Sequence, residues 1–214
     1  MPASTSVLAL GSYSDSDTAA LNAQFAPTWA ADMQALADLP DPQRAAVRAL
    51  AFKGHSPLSG AIMDLLPNLG VIANYGVGYD AIDTKAAKTR GIAVTNTPDV
   101  LNDDVADLAV AMLLAQGRCL RDGEAWVRNG TWATGQDLPL NRKIRGGRAG
   151  ILGLGRIGRE IADRLAAFKM DLHYYSRAPK DTPEGWAYHA TPTELAHAVD
   201  YLIVATVGGP ATEG

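Results

Sequence analysis

Three glycines, Gly153, Gly155 and Gly158, lie in the spacing G-x-G-x-x-G between an apolar run and an amphipathic stretch. The run, residues 149–152, predicts a strand, and the helical spacing that begins at Ile157 predicts a helix. In such a unit the first glycine permits a tight turn, the second lets a pyrophosphate approach the backbone, and the third lets the helix pack on the strand. The pattern predicts a dinucleotide whose phosphates rest on the N–H groups of the helix N-terminus. The alternative is an ordinary glycine turn.

The identity of the dinucleotide depends on the end of the next predicted strand, residues 173–175. In an NAD site, an acidic residue about 20 positions after the glycines accepts hydrogen bonds from the ribose hydroxyls. This chain has Ser176 and Arg177 there, whereas Asp171 lies at the opposite end of the strand. A guanidinium matches phosphate geometry, the Ser176 hydroxyl supplies a second donor, and Lys180 adds charge. The residues predict NADP(H) rather than NAD(H); the alternative is an Arg177 that stacks on adenine or points into solvent.

Composition and charge argue against several classes of function. The 214 residues are 47% hydrophobic and carry a net charge of −4, which is typical of a globular protein with a buried core and not of a nucleic-acid-binding protein. Cys119 is the only cysteine, which excludes an intrachain disulfide and a multi-cysteine metal site. We find no signal-like segment and no apolar run of membrane-spanning length. We therefore expect no metal, no nucleic-acid or membrane partner, and a cytoplasmic location.

The elements that position these residues alternate between strands and helices. Five segments of the first half predict strands: residues 7–10, 26–30, 47–52, 71–74 and 92–95. Helical segments between them imply a parallel, doubly wound sheet whose ligands gather at the carboxyl ends of the strands. We interpret the apolar helix predicted over residues 103–116 as a buried helix that links two domains, residues 1–98 and 99–214. In the second domain, the strand of residues 201–207 is expected beside residues 149–152 if the strand order is 3-2-1-4-5-6.

Three segments together resemble the D-isomer-specific 2-hydroxyacid dehydrogenases: residues 74–83, 94–115 and 150–168. Among these enzymes, the chain is most similar to the NADPH-dependent hydroxypyruvate and glyoxylate, or hydroxyphenylpyruvate, reductases. The resemblance implies a flavodoxin-like substrate-binding domain and an incomplete Rossmann dinucleotide-binding domain, both parallel doubly wound sheets. It also implies NADPH-dependent reduction of a small 2-keto acid to a D-2-hydroxy acid.

The resemblance assigns binding residues in both domains. In the family, the backbone N–H groups of one loop hold the carboxylate of the 2-keto acid, and Val77 and Gly78 match that loop, with Tyr75 and Gly76 beside them. Successive N–H groups form such an anion nest, although an ordinary turn is the alternative. Residues 154–157, which are Leu154, Gly155, Arg156 and Ile157, match the pyrophosphate loop. Thr206 matches a cofactor contact at the end of the fourth Rossmann strand.

The family's catalytic set has no counterpart in this chain. That set is an Arg that holds the substrate and a Glu–His pair whose His protonates the carbonyl oxygen, and it lies downstream of the segment that matches residues 201–207. The four histidines stand elsewhere: His55, His173, His189 and His197. The chain thus resembles the first two thirds of such an enzyme, without the last Rossmann strands and the helix that returns to the substrate domain. We assign no catalytic residue and expect no turnover from this chain alone.

The resemblance also allows two other interpretations of the function. One is an NAD-dependent member of the family, such as a phosphoglycerate or D-lactate dehydrogenase. The other is a non-catalytic relative that binds a dinucleotide and acts through association. Since the predicted helix of residues 103–116 resembles the family's dimer-forming segment, the resemblance also implies a homodimer.

Overall fold

The computed structural model describes residues 6–208 and 212, and the chain divides into two compact units, Met1–Val100 and Leu101–Gly214. The first unit is a five-stranded parallel sheet with helices between its strands. Its elements are β1 (Ser6–Gly11), α1 (Asp15–Phe25), β2 (Thr28–Ala30), α2 (Met33–Ala37), α3 (Asp41–Ala46), β3 (Val47–Lys53), α4 (Gly60–Asp64), β4 (Val71–Asn74), α5 (Thr84–Thr89) and β5 (Ala93–Thr95). The strand order β2-β1-β3-β4-β5 is that of flavodoxin-like folds, which confirms the predicted class.

The apolar runs of the central strands form the core of this unit. Leu8, Leu10, Leu50, Phe52 and Ile72 are almost completely buried. Parallel strands covered by helices on both faces require such continuous apolar segments, and for this reason the strands were predictable from the sequence.

Helices α3 and α5 of the first unit show where the sequence prediction fell short. Helix α3 was not predicted because Pro40 was expected to end a helix over residues 32–39, but proline is tolerated in the first turn of a helix, where Pro40 and Pro42 lie. Helix α5 begins at Thr84 rather than at residue 81. The Asp83 carboxylate caps it by accepting a hydrogen bond from Ala86 N (2.9 Å), and Leu58 holds the preceding residues in an isolated bridge.

The second unit consists of two helices followed by a four-stranded parallel sheet. Its elements are α6 (Asn102–Gly117), α7 (Leu120–Arg128), a 3-10 turn (Thr131–Thr134), β6 (Arg148–Leu152), α8 (Arg156–Ala167), β7 (Asp171–Tyr175), β8 (Ala187–His189), α9 (Pro192–Ala198) and β9 (Tyr201–Val204). The order β8-β7-β6-β9 corresponds to the 3-2-1-4 part of a Rossmann sheet. The last strand pairs with β6 as predicted, but it ends at Val204 instead of residue 207.

Helix α6 corrects the prediction of a fully buried helix. One face, with Ala106, Val110 and Leu113, is buried in the same apolar cluster as Ile161 and Leu165 of α8. The opposite face is exposed and carries an apolar stripe: Leu101, Val105, Leu108 and Met112. High apolar content without a polar face suggested burial all round, whereas the structure buries only one side.

Charged contacts fix α6 on α8. The Arg164 guanidinium of α8 donates to Asp103 and Asp107 of α6, each at 2.6 Å, and to Glu160 one turn away at 2.8 Å. These three carboxylates raise the pKa of Arg164 further above its already high value.

Within the described residues, no helix combines the length and the apolar composition needed to cross a lipid bilayer.

Candidate functional site

The glycine turn between β6 and α8 is the first candidate site. Gly153 has φ +102°, and a Cβ there would lie 2.7 Å from the carbonyl oxygen of Ala205. A Cβ on Gly158 would overlap the carbonyl oxygen of Gly153, so this glycine permits α8 to pack on the turn. A Cβ on Gly155 would meet no atom within 4 Å. The fold therefore explains the first and third glycines, while the second faces open space of the kind that a ligand fills.

The N-terminus of α8 is open towards the same space. Gly155 is the N-cap and no side chain caps the helix, so the first turn of α8 leaves N–H groups such as that of Ile157 without an acceptor within the helix. These groups and the helix dipole favour an anion. Gly153 N and Leu154 N both donate to the carbonyl of Tyr175, at 3.0 and 3.3 Å, which ties the turn to the end of β7. This arrangement fits the pyrophosphate of a dinucleotide.

Thr206 lies beside this turn. Ala205 N donates to Leu152 O at 2.8 Å and continues the pairing of β9 with β6. The backbone N of Thr206 is consequently 3.0 Å from the position that a Cβ on Gly153 would occupy. The topology brings together Thr206 and the glycines, although they are about fifty residues apart in the sequence.

The residues predicted to select the dinucleotide follow β7. Arg177 is exposed, and none of the described residues forms a hydrogen bond or ion pair with its guanidinium. Ser176 is 8% exposed, and its hydroxyl donates to Ala178 O at 2.6 Å. A hydroxyl has one hydrogen, so Ser176 can donate to a phosphate only after leaving this contact. Asp171 begins β7 and lies at the opposite end of the strand, as the sequence indicated.

Two tyrosines that the sequence analysis did not identify hold the segment after β7. The Tyr174 hydroxyl contacts both the backbone N–H (3.1 Å) and the carbonyl (3.3 Å) of Lys180, and the Tyr188 hydroxyl donates to Ser176 O at 3.4 Å. These contacts curl the segment back onto the sheet around Arg177. Tyr174 and Tyr188 are partners on the neighbouring strands β7 and β8, and tyrosines in strands are ordinary core residues, so no sequence signal marked this role.

The loop after β4 is the second candidate site, and Asn74 organises it. This side chain is 7% exposed and its Nδ2 donates to Gly76 O (3.1 Å) and Gly78 O (2.8 Å). Asn96 Nδ2 donates to Val77 O at 2.8 Å. All three carbonyls are thus occupied by protein donors.

Two N–H groups of the same loop, those of Val77 and Gly78, have no partner among the described residues. Adjacent free N–H groups on a loop whose carbonyls are occupied form a concave site for an anion. The loop was predicted from the sequence, but Asn74 and Asn96 were not; for Asn74, an amide at a strand end directly before a glycine-rich loop was the available signal.

The four histidines lie outside both candidate loops. His55 and His197 are exposed. His173 Nδ1 lies 2.9 Å from His189 Nε2, and the two rings stack. Burial, the neighbouring His189 and Arg148 together lower the pKa of His173. Within the described residues, no three His, Cys, Asp or Glu side chains are grouped so as to hold a metal ion.

Comparison with known proteins places this arrangement in a family. Residues 9–207 match the family described as D-isomer specific 2-hydroxyacid dehydrogenase, catalytic domain. The chain belongs to the D-isomer specific 2-hydroxyacid dehydrogenase family. This match covers both candidate sites and confirms the resemblance found in the sequence.

Relatives within the 2-hydroxyacid dehydrogenase family include several reductases. Hydroxyphenylpyruvate reductase of Plectranthus scutellarioides is 39% identical over 79% of this chain and 54% of its own length. Glyoxylate/hydroxypyruvate reductase A of Arabidopsis thaliana is 41% identical over 79% of this chain and 53% of its own length. The chain therefore spans about half the length of each of these two reductases.

Solved structures of the family are also similar. A 2-hydroxyacid dehydrogenase from Ketogulonicigenium vulgare is 44% identical, with a TM-score of 0.85 over 98% of this chain and 66% of that protein. An NADPH-dependent glyoxylate/hydroxypyruvate reductase from Sinorhizobium meliloti, solved with NADP and malonate, is 37% identical, with a TM-score of 0.85 over 98% of this chain and 65% of that protein.

Proposed function

We propose that this chain carries the oxo-acid and dinucleotide sites of an NADPH-dependent reductase that converts a small 2-keto acid, of the hydroxypyruvate or glyoxylate type, to a D-2-hydroxy acid. The observation that carries the proposal is the pair of unpartnered N–H groups at Val77 and Gly78. They suit a carboxylate, which is the group common to all 2-keto acids. The named relatives that reduce glyoxylate and hydroxypyruvate support the same substrate class.

The residues of the second unit fit the proposed cofactor. The open space at Gly155 and the N-terminus of α8, which no side chain caps, suit the pyrophosphate, and Thr206 lies at the same turn. Arg177 and Lys180 supply positive charge where NADP has its 2′-phosphate and NAD has a hydroxyl. When bound, the reduced nicotinamide supplies the hydride. We favour NADP(H), and NAD(H) is the alternative.

A binding titration tests the proposal. We expect the 214-residue chain to bind NADPH more tightly than NADH, and the Arg177→Ala variant to lose that preference while Arg121→Ala, an exposed arginine on α7, retains it. An Arg177→Ala variant with unchanged NADPH affinity would contradict the cofactor assignment. Adding hydroxypyruvate tests turnover, which we expect to be absent because none of the four histidines matches the family's proton donor.

We also propose a homodimer and a cytoplasmic location for the protein. The exposed apolar stripe of α6 supports the dimer, because contiguous apolar surface on a folded protein marks interaction sites. A second candidate function, a dinucleotide-binding relative that acts only through association, would use the same stripe. Detection of oxo-acid binding at Val77 and Gly78 favours the reductase over this candidate.

A further inference from the structure

The first unit has a further feature at the carboxyl ends of β1 and β3, which consists of the two charged residues Lys53 and Asp17. The chain leaves these neighbouring strands in opposite directions along the sheet, since the order is β2-β1-β3-β4-β5. Ligands of open α/β sheets bind at such a switch point. Gly11 has φ +114°, and a Cβ there would overlap the carbonyl oxygen of Lys53. The chain after β1 is thus pressed against the end of β3, which brings Tyr13 next to Lys53.

Lys53 lies at this switch point, and its ammonium group donates no hydrogen bond to the described residues. Its ammonium nitrogen lies 4.5 Å from the ring centroid of Tyr75 and 5.4 Å from that of Tyr13. The Asp17 Oδ2 atom lies 3.9 Å from the ammonium, which is too far for a hydrogen bond. Among the described residues, nothing accepts a hydrogen bond from this group, and 30% of the side chain is exposed. Two tyrosine rings therefore hold a cation whose three donors are available.

Asp17 makes the feature electrically neutral. Its Oδ2 accepts hydrogen bonds from the Ser14 hydroxyl (2.7 Å) and the Tyr75 hydroxyl (3.2 Å). These bonds, the Ser14 bond most strongly, lower the pKa of Asp17, so the carboxylate is ionised at neutral pH. The feature pairs one cation and one anion that do not touch each other.

The feature adjoins the predicted carboxylate loop. Tyr75 begins that loop, and its N–H donates to Phe52 O at 2.8 Å. Phe52 directly precedes Lys53. The residues Phe52 and Asn74 are partners in the β3–β4 register. A 2-keto acid anchored at Val77 and Gly78 would thus have Lys53 and Asp17 as neighbours on the side of β3 and β1.

We propose that Lys53 and Asp17 select 2-keto acids that carry a hydroxyl group on the carbon next to the carbonyl. This inference rests on the proposed function, because it requires the carboxylate to sit at Val77 and Gly78. A hydroxyl can accept a hydrogen bond from the Lys53 ammonium and donate one to the Asp17 carboxylate. An alkyl group leaves the Lys53 ammonium without a hydrogen-bond partner, and a second carboxylate is repelled by Asp17.

Titrations of the full chain, followed by ¹⁵N-resolved NMR, test this selectivity. The probes are hydroxypyruvate, pyruvate and oxaloacetate, which differ in their hydroxyl, methyl and carboxylate ends. We expect hydroxypyruvate to bind about tenfold more tightly than pyruvate, as a hydrogen bond to a charged group implies. The ratio should fall in Lys53→Met, since only the Asp17 acceptor remains for the hydroxyl, and should be largely retained in Lys53→Arg. Lys85→Met, an exposed lysine on α5, is the matched control and should keep the wild-type ratio.

A second variant keeps the test decisive if Lys53→Met does not fold. Asp17→Asn leaves the Lys53 charge unbalanced, so oxaloacetate should bind more tightly than it does to the wild-type chain. Equal binding of pyruvate and hydroxypyruvate to the wild-type chain, with shifts at Val77 and Gly78, would overturn the selectivity but not the proposed function. If none of the three acids changed the NMR signals of Val77 and Gly78, both the selectivity and the proposed function would be overturned. An unchanged ratio in a folded Lys53→Met variant would overturn the assignment of Lys53.

Discussion

Gly153, Gly155 and Gly158 tolerate an added methyl group to very different extents. At Gly153 and Gly158 the methyl would collide with backbone carbonyls, so substitution forces the turn or the helix to move. Gly155 has extended backbone angles, φ −87° and ψ −159°, and nothing within 4 Å of a Cβ. The protein itself therefore leaves room for a side chain at Gly155, and only the proposed pyrophosphate would exclude one.

We predict that Gly155→Ala separates binding from stability. The unfolding free energy should fall by no more than about 1 kcal/mol, the typical cost of alanine at an N-cap. NADPH affinity should fall at least about tenfold, because the methyl occupies the space of the pyrophosphate. Gly158→Ala is the control and should lose about 1–3 kcal/mol through overpacking. Urea denaturation and NADPH fluorescence titration measure both quantities; unchanged NADPH affinity in Gly155→Ala would show that no phosphate binds there.

A second prediction concerns Asn74, whose amide holds two carbonyls of the carboxylate loop. Asn74→Ala removes both bonds at a buried site and should lower the unfolding free energy by about 1–3 kcal/mol. It should also abolish pyruvate-induced NMR shifts at Val77 and Gly78. Asn68→Ala is the control, because its amide donates to a single exposed carbonyl, Ala45 O, at 2.7 Å. If both variants lose equal stability and Asn74→Ala still binds pyruvate, Asn74 does not organise the loop.

The residues whose role could be predicted from the sequence are those whose role follows from their own backbone conformation. Glycines in a fixed spacing signal the turn at Gly153 because few other residues adopt its angles. Asn74 and Asn96 act through contacts that exist only once β4 meets the following loop, so their types alone gave no prediction. The Ser176 hydroxyl was expected to face a phosphate, but it donates to a carbonyl two residues later. Local hydrogen bonds of serine compete with ligands in a way that spacing does not reveal.

At the scale of elements, the parallel direction of the strands followed from alternation of apolar strands with helices. The parallel order of both sheets was predictable because each connection is long enough to contain a helix. The burial of α6 was not predictable. Apolar residues lie on more than one side of the helix, and only the position of α8 decides which of them are covered.

The exposed face of α6 leads to a prediction about assembly. Leu108 and Met112 are 61% and 64% exposed at the centre of the stripe. If the stripe forms a dimer interface, Leu108→Glu combined with Met112→Glu should weaken dimerisation at least about tenfold, because charge is placed where apolar side chains meet. Leu140→Glu is the control, since Leu140 is a fully exposed residue outside the stripe. Sedimentation equilibrium measures the change; a wild-type chain that stays monomeric at high concentration would contradict the interface.

At the scale of the whole molecule, charges on neighbouring strands of the second sheet make stability depend on pH. Arg148 of β6 donates to the Asp200 carboxylate through its backbone N–H (3.0 Å), Nε (3.2 Å) and a terminal nitrogen (3.1 Å). These bonds lower the pKa of Asp200 to about 2. His173 of β7 lies near both groups, and its pKa is lowered, chiefly by burial.

The two pKa shifts act in different pH ranges. A histidine with a lowered pKa is neutral in the fold but gains a proton more readily when unfolded, so its contribution is complete above pH 6.5 and is lost as the pH falls below that value. Asp200 contributes fully above its ordinary pKa of 3.8, and this contribution is lost as the pH falls towards 2. Two successive losses of stability should therefore accompany acidification.

We predict that His173→Asn flattens the first step and leaves the second, whereas Asp200→Asn does the reverse. The first change removes the proton that only the unfolded chain binds readily, and the second removes the carboxylate that Arg148 keeps ionised. Melting temperatures between pH 8 and the acid limit of solubility measure both steps. His55→Asn, at an exposed histidine, should retain the wild-type profile. An unaltered first step in His173→Asn would mean that proton uptake in this range occurs elsewhere and that the stacked His173–His189 pair has no part in acid sensitivity.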